Sequence, residues 1–433
     1  MTTPVPTHNL AAMLQSAHQR SLELLDGLST EQLIGPKLST VNPLLWEIGH
    51  VGWFHEHFIL RQEFGYEPLL ERGDSLYNSI AIAHETRWDL PIYSLEEIKS
   101  YLGQVQKILV DRLGPGVADA RKSFLYQFTT FHEDMHDEAF IWARQTHGYP
   151  TPTFLPDGPK ENLSYDKGSH SGDVDIPGGW FQVGSPPEAD FLFDNEKWAH
   201  DTYVAPVRMA RAPVTNREFA SFVSDEGYNR KEFWGEDGWL WRRKTKTMHP
   251  IYWRLEANSK WQLRRFDRWL DLPPNEPVIH VNWYEANAWC RWANRRLPTE
   301  AEWEFSATMR EGPGGLTKAQ YPWGNNAPSS VRANLDGYNL GPVDVVACPA
   351  GDSFWGCRQM LGNVWEWTAD TFGPFTGFSP DDYKEYSEPL FGNTKVLRGG
   401  AWTTRSRMAR PTYRNFFGPE RSDVFAGFRT CAL

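Results

Sequence analysis

Apolar residues recur at helical spacing over residues 8–28, where Leu10, Met13, Leu14, Ala17, Leu22, Leu24 and Leu25 predict an amphipathic helix. A second helix is expected to open with Asn42 as N-cap and Pro43 at its first helical position. It runs through Leu45, Ile48, Val51, Phe54 and Phe58 to about Phe64. Ser94-Leu95-Glu96-Glu97 reads as a capping box that starts a third helix, which ends near Leu113. A fourth covers 117–146 and stops near Gly148-Tyr149-Pro150. Four helices of this length predict a four-helix bundle. One connection, 66–93, is too long for an up-and-down rhythm, and structureless loops of that size are usually functional.

The texture changes after residue 155. Gly, Pro, Asp and Ser dominate the next twenty residues, which read as a linker over 156–175. From 176 to 433 short aromatic and β-branched runs alternate with Gly, Pro and Asn turns. Only 214–224, capped by Thr215 or Asn216, and 283–293 are convincing helices there. The expected organisation is an α+β multidomain protein: a helical bundle over 1–155, the linker, and a mixed domain over 176–433.

Composition narrows the function classes. With 44 basic and 55 acidic side chains the formal charge is −11, which argues against a nucleic-acid partner, since phosphates want a basic face. Aromatic residues make up 14% of the chain, far too many for disorder. No run approaches the roughly 20 apolar residues of a membrane helix, so no membrane partner is expected. The start lacks a basic segment followed by an apolar one, so it does not read as a signal peptide. Cys290, Cys348, Cys357 and Cys431 are too few and scattered for a disulfide framework, and a cytoplasmic setting is the expectation.

The chemistry starts at His132-Glu133-Asp134-Met135-His136 on the fourth helix. Histidines at i and i+4 share one helical face and are close enough to hold one ion. The second helix offers a third imidazole from His50, His55 or His57. His50 lies in the most apolar part of that helix and is the choice, because bundle cores build metal sites from facing helices. Three imidazoles suit catalytic zinc, and equally an iron site with open positions. Glu133, Asp134, Asp137 and Glu138 are candidate acceptors for imidazole N–H groups, or simply a solvated face.

The second domain carries five strings in order: 295–304 (Arg-Arg-Leu-Pro-Thr-Glu-Ala-Glu-Trp-Glu), Tyr321-Pro322-Trp323-Gly324, and Gly362-Asn363-Val364-Trp365-Glu366-Trp367. Val396-Leu397-Arg398-Gly399-Gly400-Ala401-Trp402 and Phe425-Ala426-Gly427-Phe428-Arg429 complete the set. Together they resemble the formylglycine-generating-enzyme (sulfatase-modifying factor) fold, a C-type-lectin-like domain. Those enzymes use paired cysteines in their final segment. The comparable stretch here, 405–417, has none, so that cysteine oxidation is not expected. A DinB-type bundle with a histidine triad ahead of this fold resembles the ergothioneine-biosynthesis sulfoxide synthases. Those are non-haem iron enzymes that use O2 to join a sulfur donor to hercynine. The resemblance covers nearly the whole chain and implies His50, His132 and His136 as ligands of Fe(II). The strings 132–136, Ser75-Leu76-Tyr77, 84–91 and 193–200 are similar to the selenoneine synthases, which take a selenosugar and form a C–Se bond to hercynine.

The resemblance also implies roles. Hercynine carries a quaternary ammonium, which an aromatic cage recognises, and a carboxylate, which wants Arg or amide donors. Asn415, Phe416, Phe417 and Arg421 are the candidates in the C-terminal segment, with Met135 on the metal helix. Phe416 and Phe417 read equally well as packing residues. Phe417 stands where the sulfur enzymes carry an Asp that binds a glutamyl-cysteine donor, which favours another donor. Tyr383, or else Tyr386, is the implied proton or electron donor. Tyr77, Asn78, His84 and Arg87 in the 66–93 loop are expected to close over the metal. Arg87 would hold a polar donor, or pair structurally with Asp89 or Glu85. Asn363 and Glu366 are a candidate place for structural Ca(II). The rival readings are a sulfoxide synthase using a thiol such as cysteine or γ-glutamylcysteine, a zinc-dependent thiol transferase, and a non-catalytic binding protein.

Overall fold

In the computed structural model, which describes residues 3–154, 163, 170–257 and 259–433, the apolar stripes of the first part become six helices. They are α1 (Thr7–Leu25), α2 (Thr30–Ile34), α3 (Leu44–His55), α4 (Gly73–Tyr77), α5 (Leu95–Leu113) and α6 (Ala120–His147). The buried residues of α5 are Ile98, Tyr101, Leu102, Val105, Leu109 and Leu113, one stripe at helical spacing. Its start is the expected capping box between Ser94 and Glu97. Gly148 closes α6 in a left-handed conformation, its amide bonded to the carbonyls of Arg144 and Gln145. Leu10, Leu14, Ile59, Leu60, Val105, Leu109 and Leu125 form one core between these helices.

Three details differ from the sequence reading. The residue capping α3 is Pro43, without a side-chain bond; the Asn42 side chain instead accepts from Arg87 at 2.7 Å. Beyond His55 the helix widens into a π-helical turn over Glu56–Arg61. There the buried Glu56 accepts bonds from the Tyr101 hydroxyl and the Leu69 amide. The 66–93 connection is not structureless: it holds α4 and a 3-10 turn over His84–Thr86. Tyr77, fully buried at the end of α4, lies against α3 at Gly49. A Cβ there would come within 2.2 Å of the tyrosine ring, so only glycine permits the contact.

The chain divides into two compact units. The first takes Met1–Asp157 and Pro187–Leu192, with Phe191 packed on Phe124 and Phe131; the second takes Gly158–Pro186 and Phe193–Leu433. The expected linker, 156–175, lies largely outside the described residues, and its end is already strand.

Strands of the second unit are short: β1 (Asp173–Ile176), β2 (Gly179–Val183), β3 (His200–Val204), β4 (Val207–Ala210), β5 (Trp253–Leu255), β6 (Trp261–Arg265), β7 (Arg268–Asp271) and β8 (Arg295–Arg296). They continue with β9 (Met309–Gly312), β10 (Gly315–Lys318), β11 (Trp365–Thr371), β12 (Lys395–Arg398), β13 (Asn415–Phe417), β14 (Ala426–Gly427) and β15 (Cys431–Ala432). Two four-stranded sheets organise it, in the orders β1-β4-β15-β8 and β13-β12-β11-β14. The helices are α7 (Asn216–Ser224), α8 (Glu236–Thr245), α9 (Trp283–Trp292) and α10 (Glu300–Thr308). Thr215 caps α7 and Asn282 caps α9, each in a capping box. The core combines Val174, Ile176, Phe181, Met209, Trp303, Phe305, Met360 and Cys431.

The family-like strings turn out to hold this unit together. Arg398 is fully buried between Glu300 and Glu304, and Arg414 forks onto Glu300 at 2.7 and 3.0 Å. Arg429 forks onto Glu366, which also accepts from the Trp303 indole at 2.7 Å. Buried charges survive only when paired in this way. The same bonds correct the calcium expectation. Both Glu366 oxygens face a guanidinium, and the Asn363 oxygen accepts from Asn334 and the Val343 amide. Those oxygens are committed to protein donors. All four cysteines are buried and free. Among the described residues no helix is long and apolar enough to cross a membrane.

Candidate metal centre

Helix α3 is buried along its whole length, which places His50 inside the first unit, facing α6. On α6 the four-residue spacing puts His132 and His136 on that same side. The result is one cluster: the candidate ligand nitrogens of His50, His132 and His136 all lie within 4.8 Å of one another. Among the described residues no other group of three His, Cys, Asp or Glu side chains converges in this way.

Each ring is oriented by its surroundings. His50 donates from Nδ1 to the Tyr77 carbonyl at 2.8 Å, which leaves Nε2 for the cluster. His136 directs Nδ1 at Glu47 Oε1, 2.6 Å away, and its Nε2 lies 3.2 Å from His132 Nε2. A histidine whose far nitrogen is held by a carbonyl or carboxylate is a metal ligand in waiting, with tautomer and direction already set. The walls are aromatic: Phe54 stacks on His132 with centroids 3.5 Å apart, and Trp46 stacks on His50 at 5.2 Å. Burial, with the neighbouring imidazoles adding to it, holds the pKa values of His50 and His132 well below the ordinary range. Neutral imidazole is the form that binds metal. The donor set therefore fits a transition-metal ion held on three nitrogens, with His136 the most open of the three.

The other second-helix histidines lie elsewhere. His55 donates to Glu133 at 2.9 Å, and the Ser21 hydroxyl lies between Glu133 and Asp137. Burial opposes charge on Glu133, but His55, His18 and the Ser21 hydroxyl together outweigh it and hold the carboxyl below its usual value. His57 stacks on Trp53. Glu133, Asp134, Asp137 and Glu138 are buried, not a solvated face. The carboxylate on the candidate ligand His136 comes instead from α3. Glu47 was not singled out from sequence; the signal was a lone acid, one turn before His50, in an otherwise apolar helix.

The remaining first-unit candidates have structural partners. Tyr77 supplies the carbonyl for His50, and its hydroxyl accepts from the Tyr93 amide. The Asn78 side chain accepts from the Ile80 amide at the turn that follows α4. Arg87 stacks over Trp46, its carbon 3.9 Å from the ring centre, and bonds Asn42 and the carbonyls of Ser79 and Ile82. His84 bonds the Val41 carbonyl. Met135 is half-buried, beside His136 in sequence.

The second-unit candidates fall into two groups. Phe416 on β13 packs in a small core, stacked on Phe372 at 4.1 Å, and the Asn415 oxygen accepts from the Phe416 amide. Phe417 is half-buried under the Arg421 guanidinium, which forks onto Asp423. Tyr383 precedes a 3-10 turn over Lys384–Tyr386, and Tyr386 is its last residue. Burial pushes the Tyr386 hydroxyl well up, and its ring packs between Phe193 and Phe416.

Comparison with known proteins agrees with the two-unit division. Residues 13–139 match the DinB superfamily, and residues 160–432 match the sulfatase-modifying factor enzyme 1-like domain. The chain is 35% identical to the hercynine oxygenase of Mycobacterium tuberculosis, over 99% of both chains. It is 36% identical to the hercynine oxygenase of Mycolicibacterium thermoresistibile, over 97% of this chain and 94% of that one. The formylglycine-generating enzyme of Thermomonospora curvata is 32% identical, over 60% of this chain and 93% of its own.

Proposed function

The chain belongs to the hercynine oxygenase family, and from that premise we propose that it forms a carbon–selenium bond between hercynine and a selenosugar, using Fe(II) and O2. The observation that carries the reading is the convergence of three imidazole donors, two of them fixed through their far nitrogens. A recognition module has no use for such a cluster. His50, His132 and His136 would hold ferrous iron through neutral imidazole nitrogens, and the ion would supply the activation of O2 for joining the two reactants. Joining imidazole C–H to Se–H removes two protons and two electrons. O2 accepts four electrons, and the second pair comes from the new selenium centre, so the balanced products are a selenoxide and one water.

The protein's own groups bind, orient and exclude water. Phe54, Trp46 and Trp53 wall the His50 and His132 side of the centre. Met135 and His136 mark its more open side, and Met135 is the first-unit side chain we assign to substrate contact. Asn415 and Arg421 are the assigned donors to the hercynine carboxylate, and Tyr383, with Tyr386 behind it, the assigned proton donor. The selenosugar is preferred over a thiol because position 417 is Phe, leaving no carboxylate there for a donor's ammonium group. The runner-up is the same chemistry with cysteine or γ-glutamylcysteine. A zinc-dependent transferase is the reading to exclude.

One experiment separates these. The protein is loaded anaerobically with Fe(II) and hercynine and offered a selenosugar, cysteine or γ-glutamylcysteine; O2 is then admitted and the products read by mass. The expected result is turnover with the selenosugar, and none in His132→Ala. Preferred use of a thiol would transfer the assignment to the sulfur reaction. Tightly held zinc with no O2 consumption would overturn both.

A further inference from the structure

Four of five consecutive residues in the second unit, Phe193, Asp194, Asn195 and Lys197, converge on one loop. The Phe193 ring packs against Tyr386, with centroids 5.2 Å apart. The Asp194 carboxylate accepts from the Ser387 hydroxyl at 2.5 Å, and the Asn195 amide donates to that same hydroxyl at 3.1 Å. Glu196 pairs with Arg410, whose guanidinium lies over both Phe193 and Tyr413. The Lys197 ammonium pairs with Asp381. The loop is thereby gripped on either side of its tyrosines, at Asp381 and at Ser387, from a single short stretch of chain.

The loop has little regular structure of its own. Between Asp381 and Ser387 it contains one 3-10 turn of three residues, Lys384–Tyr386. A segment with so little regular structure opens easily unless it is tied from outside. The ties are buried ones. Asp194 is 2% exposed and Asn195 fully buried, and burial pushes the Asp194 carboxyl up to about 6. A carboxyl kept at such a site, beside the Asp381 backbone amide that stabilises its charge, is a fixed anchor rather than a surface decoration.

We infer that residues 193–197 are a positioning element: they fix the 381–387 loop so that Tyr383 is presented in one orientation. The inference rests on the proposed role of Tyr383 and adds residues to which no role has been given. Asp194, Asn195 and Lys197 act through the loop and do not touch the reacting atoms.

The test uses the full-length protein. Lys197→Met removes one grip and Ser387→Ala the other, while Lys197→Arg keeps a cation opposite Asp381. Hydrogen exchange is followed at amides 381–387, together with iron content and steady-state kinetics, and Tyr383→Phe is measured in parallel. Lys197→Met and Ser387→Ala are each expected to speed exchange at 381–387 by about tenfold or more. Each is also expected to lower kcat in the direction of Tyr383→Phe, with the KM for hercynine and the iron content unchanged; Lys197→Arg restores both. Unaltered exchange in both removal variants would overturn the inference. So would faster exchange with wild-type kcat while Tyr383→Phe is impaired. Faster exchange with a silent Tyr383→Phe would instead sink the catalytic role of Tyr383 and leave the grip standing.

Discussion

Glu47 carries a carboxylate in a helix where every residue from Leu44 to His55 is buried. Burying an acid is costly unless it has a firm partner, and its partner is His136 Nδ1 at 2.6 Å. The arrangement is reciprocal. Helix α3 lends an acid to a histidine of α6, while Glu133 of α6 receives His55 of α3. Only the first tie bears on a candidate ligand. Glu47→Gln keeps the shape and an acceptor but removes the charge that makes His136 a stronger donor. The expected outcome is a loss of metal affinity of about 10- to 100-fold, read by competition with a chromophoric chelator. Helix content by circular dichroism should be unchanged. Wild-type affinity in this variant would show that the contact only packs. The convergence of the three histidines was legible in the sequence because period and spacing mark them: two imidazoles one turn apart, and one in an apolar stripe. Glu47 was not, because an acid inside an apolar helix reads as an exposed residue until its partner on another helix is known.

Elements carry a different kind of strain. Helix α9 starts with a capping box in which Glu285 accepts from the Asn282 amide at 2.8 Å and from the Tyr228 hydroxyl at 2.5 Å. Burial pushes the Glu285 carboxyl up to about 7. The folded protein therefore binds a proton that the unfolded chain, with an ordinary value near 4.5, releases earlier. Stability contributed at this site is full below about pH 4.5, declines as pH rises toward 7 and is flat above it. Glu285→Gln cannot ionise. Its oxygen can take the Asn282 bond and its amide can donate to the tyrosine oxygen. The variant should match the wild type at pH 4.5 and exceed it by up to about 3 kcal/mol at pH 8, measured by urea unfolding at both pH values. Parallel pH dependences in the two proteins would refute this. The start of α9 was legible as a helix over 283–293, but its cap was not named, although Asn and Glu stand three apart before an apolar run. Helices α8 and α10 were not read. In α10 the inward face includes Glu300 and Glu304, whose partners Arg398 and Arg414 are about a hundred residues away, so its buried side looks polar. In α8 only Gly238 is buried, so no apolar stripe exists to be seen.

At the scale of the molecule, the histidine cluster and the ionic framework are divided between two cores. The first unit packs around Leu10, Leu14, Ile59, Val105 and Leu125 and owns all three candidate ligand nitrogens. The second packs around Ile176, Phe181, Met209, Trp303 and Met360 and owns the Arg398, Arg414 and Arg429 networks. A ligand that binds only folded protein stabilises whatever must fold to form its site, by about 2.7 kcal/mol at a hundredfold excess over Kd. If each core melts as its own cooperative unit, a metal ion should act on one transition and leave the other in place. Calorimetry with excess Fe(II) under anaerobic conditions, and again with chelator, is expected to show two transitions, of which one moves upward with metal. In Glu47→Gln the same transition should move less at equal metal concentration, which assigns it to the first unit without dissecting the chain. The second transition should instead fall on acidification. Burial opposes charge on Glu300, but Arg414 and Arg398 hold its carboxyl below the ordinary range, so the stability it contributes is present above about pH 4.5 and is lost as pH falls through its lowered value. Burial pushes His280 down to about 3, and the stability tied to its neutral form is lost progressively as pH falls from 6.5 toward that value. One transition that answers to both metal and Glu47 would mean that the two cores fold as one, and that loading the histidines is felt by every strand of the second unit.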